Sequence, residues 1–188
     1  MAVMPTDQTA PAELELVREF VNTLDVEEGT DALASPADAL GWLEAHSLGD
    51  GDPAIDEADR LRLIEVREAL RELLLANNLG TAAPPDALAA LNKQSAEAAV
   101  VLRFGTDGAA LVTGCGGVDS AIARLLAIVY GSMNDRTWRR LKSCPAEDCR
   151  WAFYDHSRNR SGTWCEMGKC GNRAKARRYR EGHRDGGE

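Results

Sequence analysis

The chain has 188 residues, a formal net charge of −8 and an apolar content of 44%, which suit one globular domain or one domain with a small appendage. No apolar run approaches the roughly 20 residues needed to cross a bilayer, and the first residues lack the basic and apolar regions of a secretory leader. These features argue against a membrane protein and predict a cytoplasmic one.

The charge is unevenly distributed along the chain. From Arg136 to Arg184 there are 14 Lys and Arg against 5 Asp and Glu, a charge of +9, whereas the rest of the chain has 8 against 25, a charge of −17. A basic C-terminal segment attached to an acidic body predicts a polyanionic partner for that segment.

Helical patterns dominate the first part of the chain. Residues 1–11 are expected to be a disordered tail, and five apolar residues at helical spacing then predict a first helix: Leu14, Val17, Phe20, Val21 and Leu24. Ser35 is a good N-cap for a second helix with Pro36 at its first position. The longest helical pattern runs from Asp56 to Asn77 and ends before Gly80. Another helix is expected after the proline pair at 84–85.

A change of period follows this helical region. "VVLRF", a "GTDG" turn and "AALVTG" predict a β-hairpin. A further helix is predicted to begin with Asp119 or Ser120 as its N-cap and to end near "GSMND". We expect Cys115, in "TGCGG", to be a small buried residue at a turn. Residues 12–134 are therefore predicted to form a mainly α domain with one β-hairpin.

Four cysteines in the C-terminal segment have matched spacings, Cys144-x4-Cys149-x15-Cys165-x4-Cys170. Two close pairs separated by a short insert can bring four thiolates to one tetrahedral Zn²⁺, which is typical of a structural site. In a reducing compartment, clustered cysteines favour metal over the alternatives, two disulfides or four free thiols. His156 and His183 are weaker candidates for replacing a cysteine ligand.

The insert between the cysteine pairs predicts a hairpin. "RWAFY" alternates like a strand, "DHSRNRSG" is a turn and "TWC" resembles a returning strand. After Cys170, Asn172 is a good N-cap for a last helix that Gly182 can terminate. This order predicts a treble-clef-like zinc module with four cysteine ligands over residues 135–184, followed by a tail at 185–188.

The stretch "FYDHSRNRSGTWCEMGKCGNRAKARRYR" resembles the CGNR zinc-finger family, whose name is spelled by residues 170–173. The upstream "FVNTLDVEEGTDALASPADALGWL" resembles the ABATE domain that accompanies this finger. The resemblance is strong over 141–180 and looser over 14–134. It implies a bacterial two-domain protein, taken to be a stress-linked transcriptional regulator whose N-terminal domain senses a ligand. The "SGT" before Trp164 departs from a fully basic run, which weakens the expectation of phosphate contact there.

Basic residues of the finger are candidates for nucleic-acid contact, because cations displace counterions from phosphates and a helix of this size enters a major groove. The predicted contacts are Lys175, Arg177, Arg178, Arg180, Arg158 and Arg160. Three other residues are expected to support the zinc site: Asn172, Arg173 and Asp155. Arg173 is expected to pair with Asp155 or face the thiolates. The aromatic residues Trp151, Phe153 and Trp164 are expected to form a small core, with base stacking as the alternative.

No arrangement of residues indicates catalysis, because four protein ligands leave no open position on the zinc. We expect a zinc-binding, DNA-binding regulator that is not an enzyme and associates with the nucleoid. The alternative is a zinc-scaffolded module that binds protein or RNA without reading DNA. A pocket near Phe20, Trp42 and the "DVEE" loop would favour a small-molecule ligand for the N-terminal domain. One finger has limited contact area, so specific binding would require a homodimer or a second contact element.

Overall fold

A computed structural model describes residues 9–48, 54–106 and 108–184, with the side chains of 181–184 excepted. The elements in chain order are α1 (Leu14–Val21), β1 (Leu24–Asp25), β2 (Thr30–Asp31), α2 (Pro36–Ala45), α3 (Glu57–Leu79), α4 (Pro85–Glu97), β3 (Val101–Gly105), β4 (Gly108–Val112), α5 (Gly117–Asn134), a 3₁₀ turn (Trp138–Arg140), β5 (Leu141–Ser143), β6 (Ala152–Tyr154), a π turn (Met167–Gly171) and α6 (Asn172–Arg184). Within these ranges the strands pair as three antiparallel hairpins, β1–β2, β3–β4 and β5–β6. The prediction of a mainly α fold with a β-hairpin in the N-terminal part and a C-terminal cysteine module is confirmed.

Local capping explains where α2 begins and where α3 begins and ends. The Ser35 hydroxyl accepts a hydrogen bond from the backbone N–H of Asp38 at the start of α2, as the sequence predicts. α3 begins with a reciprocal capping box between Asp56 and Asp59 and is terminated by Gly80, whose φ of 68° suits glycine. The prediction for α5 is wrong, because Gly116 is its N-cap and Asp119 lies inside the first turn.

The centre of the molecule is α3, which contacts α1, α2, α4, α5 and β5. Large, fully buried apolar side chains come from α3 itself, from the helices α1, α2 and α5 around it and from the loop before α2: Phe20, Leu33, Leu43, Leu63, Leu70, Leu74, Ile122 and Leu125. Because burial of apolar surface is the dominant favourable contribution to folding, this helical cluster is the main source of stability.

The same core continues into the cysteine segment. Trp138, Leu141, Ala152 and Tyr154 belong to the cluster formed by the N-terminal helices. Leu141 and Tyr154 face each other in the β5–β6 ladder, so this hairpin carries its apolar residues onto the helical body. The β5–β6 hairpin and the helical body therefore share one hydrophobic core, while the four cysteines belong to a second cluster beside it.

Side-chain amides of the body form hydrogen bonds with the backbone of this hairpin and of the turn before it. Asn22 exchanges two hydrogen bonds with the backbone of Ala152, at 2.9 Å and 2.7 Å. The Nδ2 group of Asn77 donates to the carbonyls of Trp138 and Leu141, both at 3.0 Å. These bonds supply partners for backbone groups that the short strands leave unpaired.

Two expectations about the C-terminal half require correction. The strand Ala152–Tyr154 pairs with Leu141–Ser143 rather than with the segment "TWC", since the carbonyl of Thr163 accepts instead from Asn78 on α3. Cys115 is exposed rather than buried.

No helix among the described residues combines the length and apolar character needed to cross a membrane.

Candidate functional site

Short backbone turns present the four cysteines. Cys144 follows β5, and its N–H donates to the carbonyl of Trp151 at 2.9 Å. Cys149 closes a turn in which its N–H and that of Arg150 both donate to Ala146 at 3.0 Å. The second pair lies at the π turn, where the N–H of Cys170 donates to Glu166 at 3.0 Å. Each pair thus comes from a tight backbone turn, which directs two thiols toward one point.

The four Sγ atoms lie within 4.8 Å of one another. The Sγ of Cys165 is 3.5 Å from that of Cys149 and 3.7 Å from that of Cys170. Four sulfurs bound to zinc at about 2.3 Å stand about 3.8 Å apart in a tetrahedron, so these separations fit the ion. Cys144, Cys149 and Cys170 are buried and Cys165 is half-buried, as expected for a closed structural site.

The electrostatics of the cluster favour a divalent cation. Hydrogen bonds from the thiols of Cys149 and Cys165 lower the pKa of Cys144 to about 2. In turn, the Cys144 sulfur raises the pKa of Cys149 to about 12 and raises the pKa of Cys165 strongly. The first proton therefore leaves easily, and the later ones are held by hydrogen bonds to the Cys144 thiolate and, to a smaller extent, by repulsion between thiolates. A metal ion removes that repulsion, so binding releases protons and weakens in acid.

Gly171 and Asn172, which follow the ligand Cys170, have separate structural roles. A Cβ atom at Gly171 would overlap the sulfur of Met167, whose side chain would have to move, and would approach Trp164 to 3.2 Å. The Asn172 side chain donates to the carbonyl of Gly168 at 2.9 Å. The prediction of Asn172 as an N-cap is wrong, because its backbone is already helical and α6 continues directly from the π turn.

Arg173 faces the thiolates. Its Nη2 group lies 3.2 Å from the Sγ of Cys170, and this contact raises the pKa of Arg173. Its Nη1 group contacts Glu27 at 3.0 Å and Asp148 at 3.4 Å. A cation at this distance partly offsets the formal −2 charge of four thiolates on Zn²⁺. Of the two partners expected for Arg173, the structure places the thiolate and not Asp155 beside it.

Asp155 instead organises the loop that follows β6. Its carboxylate accepts from the buried ammonium of Lys142 at 2.7 Å and from the N–H groups of Ser157 and Gly162, both at 2.9 Å. Burial opposes ionisation, but the bonds from Lys142 and Ser157 outweigh it and lower the pKa of Asp155. A Cβ atom at Gly162 would stand 2.8 Å from Oδ1 of Asp155. The loop carrying Arg158 and Arg160 is thus held by a buried ion pair.

The basic residues of the finger separate into engaged and exposed groups. Lys142 also donates to the carbonyls of Arg160 and Gly162, both at 2.7 Å, and Arg140 donates to the carbonyls of Asp155 and Ser157, both at 2.9 Å. All six predicted nucleic-acid contacts have exposed side chains: Arg158, Arg160, Lys175, Arg177, Arg178 and Arg180. None of the six pairs with a carboxylate among the side chains that the structure describes.

The helix α6 leaves the rest of the molecule soon after it begins. Ala174 is buried, but every residue from Lys175 to Arg180 is exposed. Tyr179 on this helix is 67% exposed. None of the residues from Lys175 to Arg180 is buried, so this part of α6 is open to solvent.

Three tryptophan and phenylalanine residues of the finger, and His156, have structural contacts. Phe153 is buried, while Trp151 and Trp164 pack against the cysteine cluster, which explains their spacing without base stacking. His156 contacts the carbonyl of Thr9 at 2.9 Å and the ring of Tyr154, and it lies outside the cysteine cluster. The side chain of His183 lies outside the described residues.

Residues expected near a ligand pocket have other roles. Phe20 is fully buried in the core, and Trp42 stacks on His46 with ring centroids 4.0 Å apart. Glu27 of the "DVEE" loop contacts Lys169 and Arg173 of the finger. This contact was missed by the sequence analysis, because nothing in the chain relates an acidic turn near residue 27 to cations more than 140 residues later.

Comparison with protein families gives two matches. Residues 140–183 match the family described as "CGNR zinc finger", and residues 14–131 match ABATE, described as "Putative stress-induced transcription regulator". No curated protein matches the chain. The finger match and the geometry of the four thiols together assign one structural zinc ion, held by Cys144, Cys149, Cys165 and Cys170. The chain belongs to the ABATE family and carries a C-terminal CGNR zinc finger.

Proposed function

We propose that this protein is a zinc-dependent DNA-binding transcription regulator in which the finger contacts DNA and the helical body carries the regulatory input. The observation that carries the proposal is the exposed group of cations on α6, Lys175, Arg177, Arg178 and Arg180, which form no ion pair with any side chain that the structure describes. The family description supports the regulatory part of the proposal. The function expected from the sequence is therefore retained as a proposal.

The shape of α6 suits a groove of DNA. At about 1.5 Å per residue, its 13 residues span about 20 Å, and a major groove about 12 Å wide admits one helix. Arg173, Arg177 and Arg180 recur at helical spacing, but Arg173 is already engaged by the thiolate of Cys170. The residues free to meet phosphates or base edges thus lie one turn farther along the helix.

The zinc ion acts through position rather than chemistry. Four protein thiolates complete its coordination, which leaves no site for a substrate or an activated water. The ion joins the π turn at the start of α6 to the turn after β5 that carries Cys144 and Cys149. The strands β5 and β6 in turn contribute to the core of the body. The body and the DNA-binding helix are therefore connected through packed residues rather than through a flexible linker.

DNA binding is tested by fluorescence anisotropy of a mixed-sequence duplex with the full-length zinc-loaded protein, over about 50 to 300 mM salt. We expect Arg178→Gln to weaken binding and to reduce the slope of log K against log salt by about 0.9, the value for one lost phosphate contact. Arg103→Gln is the matched control, because Arg103 is exposed on the β3–β4 hairpin of the body and its replacement changes the net charge equally.

Equal effects of the two substitutions, or binding that does not depend on salt, would contradict DNA contact by α6. Tighter binding to single-stranded RNA than to the duplex would favour the RNA alternative. Retention of a protein partner after nuclease treatment, with no duplex binding, would favour an interaction module.

A further inference from the structure

A carboxylate of the acidic body lies on two cations of the finger. Glu27, in the turn between β1 and β2, contacts the ammonium of Lys169 at 2.8 Å and Nη1 of Arg173 at 3.0 Å, through different oxygens. Contact with Lys169, and then with Arg173, lowers the pKa of Glu27, so the carboxylate is ionised at neutral pH. This contact joins the region of net charge −17 to the region of net charge +9.

The turn that carries Glu27 is well defined. The carboxylate of Asp25 accepts from the N–H groups of Glu27 and Glu28, both at 3.0 Å. The N–H of Gly29 donates to the carbonyl of Asp25 at 2.9 Å, and Gly29 has a φ of 68°, which favours glycine. The position of Glu27 is therefore set by the fold of its own turn as well as by its partners.

Lys169 and Arg173 stand four residues apart on either side of the ligand Cys170, where the π turn becomes α6. Their side chains remain 50% and 39% exposed, and that of Glu27 is 27% exposed. An exposed ion pair contributes little to stability. The three residues are thus open to solvent, and another anion can exchange with Glu27 at little cost.

The two oxygens of Glu27 bridge a lysine and an arginine, and two oxygens of a phosphate can make the same kind of contacts with these side chains. We propose that Lys169 and Arg173 form a further phosphate-binding site of the finger, and that Glu27 occupies the phosphate position in the DNA-free protein. The inference rests on the proposed function for the source of the phosphate, the backbone of nucleic acid. Binding then exchanges the carboxylate of the body for a phosphate.

This exchange makes the acidic turn a competitor of DNA. Removal of the Glu27 charge leaves Lys169 available and removes the shorter carboxylate contact of Nη1 of Arg173, while the contacts of Arg173 with Asp148 at 3.4 Å and with Cys170 remain. Glu28 offers a matched control, because it is the next residue in the same turn, is exposed and makes no ion pair with a described side chain. Its replacement alters the net charge and the local field to nearly the same extent.

The test compares Glu27→Gln with Glu28→Gln in the full-length zinc-loaded protein. We expect Glu27→Gln to bind a mixed-sequence duplex about 3- to 10-fold more tightly than the wild type, and Glu28→Gln to change affinity by less than about 2-fold, because one charge-assisted contact is at stake. Adding Lys169→Gln to Glu27→Gln should remove most of the gain. Equal gains from Glu27→Gln and Glu28→Gln, or weaker binding by Glu27→Gln, would overturn the proposal.

A second measurement separates this site from DNA binding as such. Inorganic phosphate is titrated into ¹⁵N-labelled protein, and amide shifts are followed for residues 169–173. We expect phosphate-dependent shifts there in Glu27→Gln, and weak or no shifts in the wild type and in Glu28→Gln. Absence of shifts in Glu27→Gln would overturn the phosphate site whatever the duplex result. Shifts without any duplex binding would retain the site and refute the proposed function.

Discussion

The arginines of the helical body and those of the last helix differ in their burial and in their carboxylate partners. Arg67 and Arg71 are 2% and 3% exposed, and they contact the carboxylates of Asp31 and Glu68 at 2.6 Å and 3.0 Å. By contrast, Arg177 and Arg178 on α6 are exposed and have no carboxylate partner among the described side chains. The same side chain therefore stabilises the fold in one region and remains available for binding in the other.

The difference follows from the cost of removing charge from water. A buried guanidinium requires hydrogen-bond acceptors on several of its N–H groups, and Arg71 finds them in Val21 at 2.6 Å, in Arg150 at 2.9 Å and in Glu68. Because an exposed guanidinium is solvated, it can exchange water and counterions for phosphates. Net charge alone therefore overestimates the binding surface, since Lys142 and Arg140 belong to the +9 segment but are used internally.

Removal of the zinc ion should abolish the ordered helix α6, which distinguishes the finger from the helical body. We expect Cys165→Ser to lose the zinc ion and the order of α6, because three remaining thiolates bind the metal far more weakly and the finger has little core of its own. Zinc content, measured by elemental analysis, should fall from one ion per chain to nearly none, and duplex binding should fall with it. Cys115→Ser, which removes the exposed cysteine outside the cluster, is the control. Full zinc occupancy in Cys165→Ser would contradict the assignment of this ligand.

A buried arginine of the body should matter for stability and not for binding. We expect Arg71→Met to lower the free energy of unfolding by about 3 kcal/mol, because the carbonyls of Val21 and Arg150 lose a buried donor and Glu68 loses one of its two arginine partners. Urea denaturation followed by circular dichroism measures the change. The affinity of the folded fraction for a duplex should stay within about 2-fold of wild type. A loss of less than about 1 kcal/mol would show that Arg71 contributes little to joining body and finger.

An exposed arginine of the last helix should show the smallest effect on stability. We expect Arg178→Met to change the free energy of unfolding by less than about 0.5 kcal/mol, because a solvated side chain without an ion pair is replaced. The same urea experiment measures this change beside that of Arg71→Met. A loss comparable to that of Arg71→Met would refute the distinction between the two classes of arginine.

Features set by neighbouring residues could be predicted from the sequence. The cap at Ser35, the capping at Asp56 and the end of α3 at Gly80 depend on hydrogen bonds and backbone angles within one turn. The zinc ligands were also predictable, because two close cysteine pairs suit one tetrahedral ion. The segment "TWC" was misread, since its amino-acid pattern resembles a strand but its backbone bonds to the distant α3.

The amino-acid sequence by itself determined the helical body, the β3–β4 hairpin, the four ligands and the concentration of positive charge near the C-terminus. Only the tertiary structure decided which cations are used internally, that the finger shares the core of the body, and that Glu27 lies on Lys169 and Arg173. The physical reason is the range of the interactions. Capping and metal-ligand spacing act over a few residues, whereas burial and ion pairing depend on segments that the folded chain brings together from far apart.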